Sequence, residues 1–150
     1  MPTAYVEEIL PITAEQAFDL IHDYNRRLEW DTLLQEAYLE PEFATAEKGA
    51  ISVCRGRRIL GSIAIRSVYV TFECGKIAAV KMLNHPPFFG SFGASIRHSD
   101  LPGDVSMIIY KFNFTARPHF LRPILHPVML MILKWETRKR LRSLKSFVSK

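Results

Sequence analysis

The chain has 150 residues, 48% of them hydrophobic and 23% charged, with a formal net charge of +5. These values fit one globular domain, residues 1–150, with enough chain to bury a real core, and they exclude disorder and low complexity. No apolar run approaches the roughly twenty residues of a membrane span, and Met1–Glu8 lacks the basic-then-apolar pattern of a secretory leader, so a cytoplasmic protein is expected.

Residues 3–10 read as a first strand. Thr13 and Gln16 then form a capping box, each side chain able to satisfy an orphan N–H of a helix's first turn. Ala14, Ala17, Phe18 and Ile21 follow at helical spacing on one face. A second short helical piece is expected from Asn25 to Trp30. From Leu33 to Phe114 the period drops to two, with strands near 33–40, 50–55, 64–73, 77–83, 88–97 and 105–115. Turn signals separate them: Glu47-Lys48-Gly49, Cys74-Gly75-Lys76, His85-Pro86-Pro87 and Leu101-Pro102-Gly103-Asp104. Short links imply antiparallel neighbours. Ala78, Val80 and Met82 share a face. So do Phe88, Phe92, Ala94 and Ile96, and so do Ile108, Tyr110, Phe112 and Phe114, with Lys111 and Asn113 opposite.

Residues Leu121 to Lys150 read as one long closing helix, with Pro123 and Pro127 near its start, where a missing N–H does little harm. Val128-Met129-Leu130-Met131-Ile132-Leu133 would wrap the whole circumference, and a helix apolar all round must be covered on most sides. Leu141, Leu144 and Val148 then form a stripe flanked by Arg138, Lys139, Arg140, Arg142 and Lys145. A single curved sheet with one apolar face needs a cover, and only this helix, about 43 Å long, can supply it. Its first half is expected against the concave face of the sheet, and Leu141, Leu144 and Val148 are expected to pack on the sheet as well, leaving the basic residues solvated.

The net charge hides a gradient. Residues 1–47 hold two basic and eleven acidic groups, and residues 116–150 hold nine basic groups and one acid, Glu136. The two halves either complement each other across the fold or present a basic patch, to which Arg57-Arg58 would add, for an anionic membrane surface or RNA. Stacking aromatics are sparse near the patch, so no strong nucleic-acid signal exists. Cys54 and Cys74 fall in predicted strands and read as free buried thiols without zinc-site spacing. The five histidines, His22, His85, His98, His119 and His126, show no metal-ligand spacing and read as surface or loop residues. No metal and no cofactor is called for.

Val6 to Asp23, with its strand, small turn and helix ending in an aspartate, resembles the opening of the START/Bet v 1-like (SRPBCC) superfamily, in particular its polyketide cyclase/dehydrase and lipid-transport group. Trp30, Lys48-Gly49 before the third strand, and the ending Leu141-Arg142-Ser143-Leu144-Lys145 match further landmarks in order. Glu15 stands where many members carry proline. The resemblance implies an α+β helix-grip fold: a seven-stranded curved antiparallel sheet wrapped around a long C-terminal helix, with two short helices between strands 1 and 2. It also implies a hydrophobic ligand pocket between the last three strands and the first half of the final helix. The residues expected to face that pocket are Phe88, Phe92, Tyr110, Phe112, Met129, Leu130 and Leu133. The same side chains could instead fill a solid core.

Three functions follow as expectations. The first is binding, or transport, of a hydrophobic or amphipathic small molecule. The second is a polyketide cyclase/dehydratase-like enzyme acting on an aromatic or polyketide substrate, which needs a general acid or base in the pocket. Tyr110 is the candidate there, His98 and Arg97 being weaker, since Arg97 points outward by strand parity. The third is an accessory role for the basic helix on membrane or RNA. No nucleophile elbow, phosphate loop or paired-carboxylate arrangement is present.

Overall fold

The structure is a computed structural model describing residues 2–57 and 63–149. Its elements in chain order are β1 (Thr3–Leu10), α1 (Ala14–Ile21), α2 (Arg27–Trp30), β2 (Leu34–Leu39), β3 (Ile51–Gly56), β4 (Ala64–Glu73), β5 (Ile77–Met82), β6 (Phe89–Leu101), β7 (Val105–Ala116) and α3 (Arg122–Val148). The seven strands form one sheet in the order β1-β7-β6-β5-β4-β3-β2, and every pairing is antiparallel. The first strand therefore pairs with the last, and α3 lies across the inner face of the sheet. This is the helix-grip α+β architecture.

Local chemistry sets the element ends. At α1, the Gln16 N–H donates to Thr13 Oγ1 at 3.2 Å and the Thr13 N–H donates to Gln16 Oε1 at 3.0 Å, which completes the capping box. Pro123 sits in the first turn of α3. Pro127 lies inside the helix rather than at its harmless start, so the carbonyl four residues back loses its helical donor.

At the start of β6 the register shifts between Phe89 and Ser91. The shift turns Phe89 into the core, while Phe88 stays largely exposed with φ of 71°. Strict alternation back from Phe92 misses this bulge. Gly90 makes it possible: a Cβ there would meet Thr115 Oγ1 at 2.9 Å.

The core has three parts. Leu10, Ala17, Ile21, Trp30, Ile108, Leu141 and Leu144 join β1, α1, α2 and β7 to the second half of α3. Met82, Phe89, Ala94, Phe112 and Phe114 pack inside the sheet, with Met129, Leu130 and Leu133 against them. Phe18, Ala50, Tyr69 and Ala78 form the third.

In the long helix Leu141 and Leu144 of the stripe pack inward as expected, but the apolar half is less covered than expected. The helix's buried residues are Thr137, Arg140, Leu141 and Leu144, all in the basic half. In the apolar half, Ile124 is 66% exposed and Met131 67%, and Trp135 just beyond is 60% exposed. The sheet accepts only one face of the apolar segment, the face carrying Met129 and Leu133. The sequence shows how apolar a segment is, not which side the sheet leaves open.

Candidate functional site

Between the sheet and α3 lies a half-open cavity of about 750 Å³. Its wall is mostly apolar, with Phe92, Phe112, Ile96 and Val80 from the strands and Met129 and Leu133 from α3. Phe88, Val128 and Ile132 line it and are themselves solvent-exposed, which places the mouth between the Pro87–Phe88 turn and the first half of α3.

Of the residues expected at the pocket, the structure brings Phe88, Phe92, Tyr110, Phe112, Met129 and Leu133 to this cavity, Phe88 at its rim. Leu130 does not reach it. One position from Met129, it points toward β1 and borders a separate polar groove with Lys134, Arg138 and Arg142. The cavity also extends beyond the last three strands, to Ser52 and Cys54 on β3, Ile65, Ser67 and Tyr69 on β4, and the residues around α2. It is open space, not a core filled by side chains.

The far wall is polar in a way the sequence did not announce. His22 Nδ1 and the Tyr69 hydroxyl are 2.8 Å apart, and the Tyr69 and Tyr24 hydroxyls 2.6 Å apart. Burial holds both phenols above their ordinary range. Burial, then the nearby charges of Arg27 and His98, hold His22 well below its own. All three groups are therefore neutral near pH 7.

Beside them is an ion-pair triad. Arg27 Nε donates to Asp31 Oδ2 at 2.8 Å, while Arg140 donates to the same carboxylate from Nε at 3.0 Å and from Nη2 at 2.9 Å. A fourth donor, the Leu33 N–H, reaches Asp31 Oδ1 at 3.1 Å. Arg140 Nη1 donates to the Tyr110 hydroxyl at 3.3 Å. The guanidiniums lie over aromatic faces, Arg27 over Trp30 at 5.1 Å and Arg140 over Tyr110 at 5.2 Å. Arg27 and Arg140 line the cavity, and the Asp31 carboxylate is sealed behind them. The guanidiniums stay charged, because the adjacent carboxylate outweighs the cost of burial. Although burial opposes it, the two guanidiniums hold the Asp31 carboxyl below its ordinary range.

Several expectations need correction here. Arg140 is not one of the solvated charges of the closing helix; it is 7% exposed and pins α3 to the loop after α2. His22, in the turn after α1, and His98, on β6, are both buried rather than on the surface, and His98 faces inward like Ala94. His98 packs on Phe18 in the α1 region, with ring centroids 5.5 Å apart, and does not line the cavity. Arg97 points outward. Cys54 is partly buried on the cavity wall, and Cys74 is exposed in the turn after β4. Arg57 is exposed, while Arg58 lies outside the described residues.

Two faint signals could have exposed the triad. Arg27 and Asp31 stand four apart, and Arg140 shares helical spacing with Thr137, Leu141 and Leu144. Among the described residues, no group of three His, Cys, Asp or Glu could hold a metal, and no helix is long and apolar enough to cross a membrane.

The sequence matches no family model and no curated protein. Its fold does match solved structures. A START superfamily protein from Mycobacterium smegmatis superimposes with a TM-score of 0.80 at 8% identity, covering 98% of this chain and 97% of that one. The Zhui aromatase/cyclase from Streptomyces sp. R1128 gives 0.81 at 9% identity, covering 99% and 94%. Norcoclaurine synthase from Thalictrum flavum gives 0.72 at 9% identity, covering 99% and 87%. The chain has the START/Bet v 1-like fold.

Proposed function

We propose that this protein binds a hydrophobic or amphipathic small molecule in the cavity between the sheet and α3. The observation that carries the reading is the cavity itself: about 750 Å³, apolar along most of its wall, polar at one end and open beside Phe88. Ligand sites have this size and this balance of apolar wall to a few oriented polar groups. The solved structures of the same fold include a START superfamily protein and an aromatase/cyclase, which supports the reading at the level of the fold. Titration with fatty acids, quinones and flat polycyclic dyes is expected to give saturable one-site binding. Phe92→Trp, which narrows the cavity, is expected to weaken it at least about tenfold, equivalent to about 1.4 kcal/mol. Absence of saturable binding across all three classes would sink the proposal.

A second reading, a cyclase- or dehydratase-like enzyme, is favoured by one contact. Arg140 can only donate, so in their hydrogen bond the Tyr110 oxygen accepts and its own O–H hydrogen remains available to a ligand. Tyr110 would then act as proton donor or orienting group. Tyr110→Phe should abolish turnover of a polyketide-like substrate while ligand binding persists; unchanged turnover rules that role out.

The exposed apolar line along α3 favours a membrane surface over RNA as the setting for any accessory role of the basic helix. What the helix presents outward is Ile124, Met131 and Trp135 followed by Arg138 and Arg142, a composition suited to an anionic lipid interface.

A further inference from the structure

The ligand-binding reading leaves the ligand's polar end undefined, and the charge of the triad defines it. Two guanidiniums surround one carboxylate, leaving one positive charge at the cavity wall, with Arg27 6% and Arg140 7% exposed. A buried charge without a counter-charge is costly, and an arrangement that keeps one is poised for an anion. Asp31 has no further capacity to offset it, since it already accepts from Arg27, Leu33 and twice from Arg140.

Other wall groups do not neutralise the charge. Glu136 lines the cavity one turn before Arg140, but its ion pair is with Lys139 at 3.7 Å, and no ion pair joins it to either arginine among the described residues. Tyr24 and Tyr69 remain neutral phenols, and burial, first among its influences, raises the Cys54 thiol as well. The uncommitted Tyr110 hydrogen adds a donor beside Arg140. Three donors thus face one end of an otherwise apolar space.

We infer that the cavity takes a carboxylate-bearing amphipath, its carboxylate received by the Arg27 and Arg140 guanidiniums and the Tyr110 hydroxyl, and its apolar body lying along Phe92, Phe112, Met129 and Leu133 toward the mouth. The inference rests on the ligand-binding reading, and matched probes separate the two. Calorimetry at pH 8 would compare decanoate with decan-1-ol, and naphthalene-2-carboxylate with naphthalene-2-methanol. In at least one pair the acid is expected to bind about tenfold tighter or more, as a charge-assisted contact should. Arg27→Met and Arg140→Met each leave a charge-balanced pair with Asp31, so the ratio of acid to alcohol affinity is expected to fall from about tenfold to near parity. If one variant fails to fold, the other and the wild-type comparison still decide.

Equal binding of acid and alcohol in both pairs, or preference for the alcohol, overturns the inference and leaves the ligand-binding reading intact. An acid preference that survives both arginine variants and Tyr110→Phe also overturns it. Binding of none of the four probes counts against both readings.

Discussion

His98 shows how one buried side chain ties stability to pH. It lies on the inner face of β6, where neither ring nitrogen has a hydrogen-bond partner among the described residues. Burial lowers its pKa from 6.5 to about 4, because protonation would place a charge among rings such as Phe18. A base whose folded pKa is depressed contributes stability that is fully present above its unfolded pKa of 6.5. That contribution is lost as pH falls toward the folded value. His22 is lowered in the same direction and adds to the loss. The Asp31 and Glu40 carboxyls, also lowered, act in the same sense but only below their unfolded values of 3.8 and 4.5, so the window from pH 6.5 to 4.5 belongs to the histidines. Urea denaturation is expected to show His98 alone removing about 2 kcal/mol between pH 7 and pH 5. His98→Leu should flatten that slope, and an identical slope in the variant would refute the assignment.

At the level of elements, α3 is two helices in one. Its second half anchors the fold: Leu144 is fully buried between β1, α1 and α2, and Arg140, which also lines the cavity, is tied to Asp31. Its first half presents one face to the cavity and the other to solvent. Leu144→Ala is therefore expected to cost about 2–5 kcal/mol, while Met131→Glu should change stability by less than about 0.5 kcal/mol, both read by urea denaturation. A large loss for Met131→Glu would mean that the apolar half is covered after all.

Hydrophobic patterning alone predicts the opposite ranking, because Val128 to Leu133 is the most apolar run of the helix. That contrast marks what was legible. Period-two alternation and turn residues placed all seven strands within a few residues, because each strand answers to its own local pattern. Most of the cavity's aromatic wall followed from the same alternation in β6 and β7. The triad did not, since Arg140 meets Asp31 across 109 positions and that pairing exists only once α3 crosses the sheet. Tyr69 was equally silent, because its partners His22 and Tyr24 come from the end of α1 and the loop after it.

On the scale of the whole molecule, the charge gradient is largely folded back on itself. Lys145 pairs with Glu8 at 3.3 Å, and Lys134, Arg138 and Arg142 border the groove that Glu7 and Glu8 also line. The acidic first strand and the basic last helix are neighbours, so the gradient alone implies no partner. Away from that contact, Phe120, Ile124, Met131 and Trp135 stand exposed on the side where the cavity opens at Phe88 and Val128, with the exposed Arg138 and Arg142 following them along the helix. A contiguous apolar face rimmed by cations suits an anionic lipid surface, where apolar burial supplies affinity and the cations add a salt-sensitive part. The two tryptophans make the test specific, for Trp30 is buried and Trp135 exposed. Trp30→Phe isolates Trp135. Its emission is expected to shift to the blue with phosphatidylserine-containing vesicles, to shift less with pure phosphatidylcholine, and to revert as salt rises. Met131→Glu should remove the shift without unfolding the protein. No shift with either vesicle would show that the line along α3 only frames the mouth of the cavity.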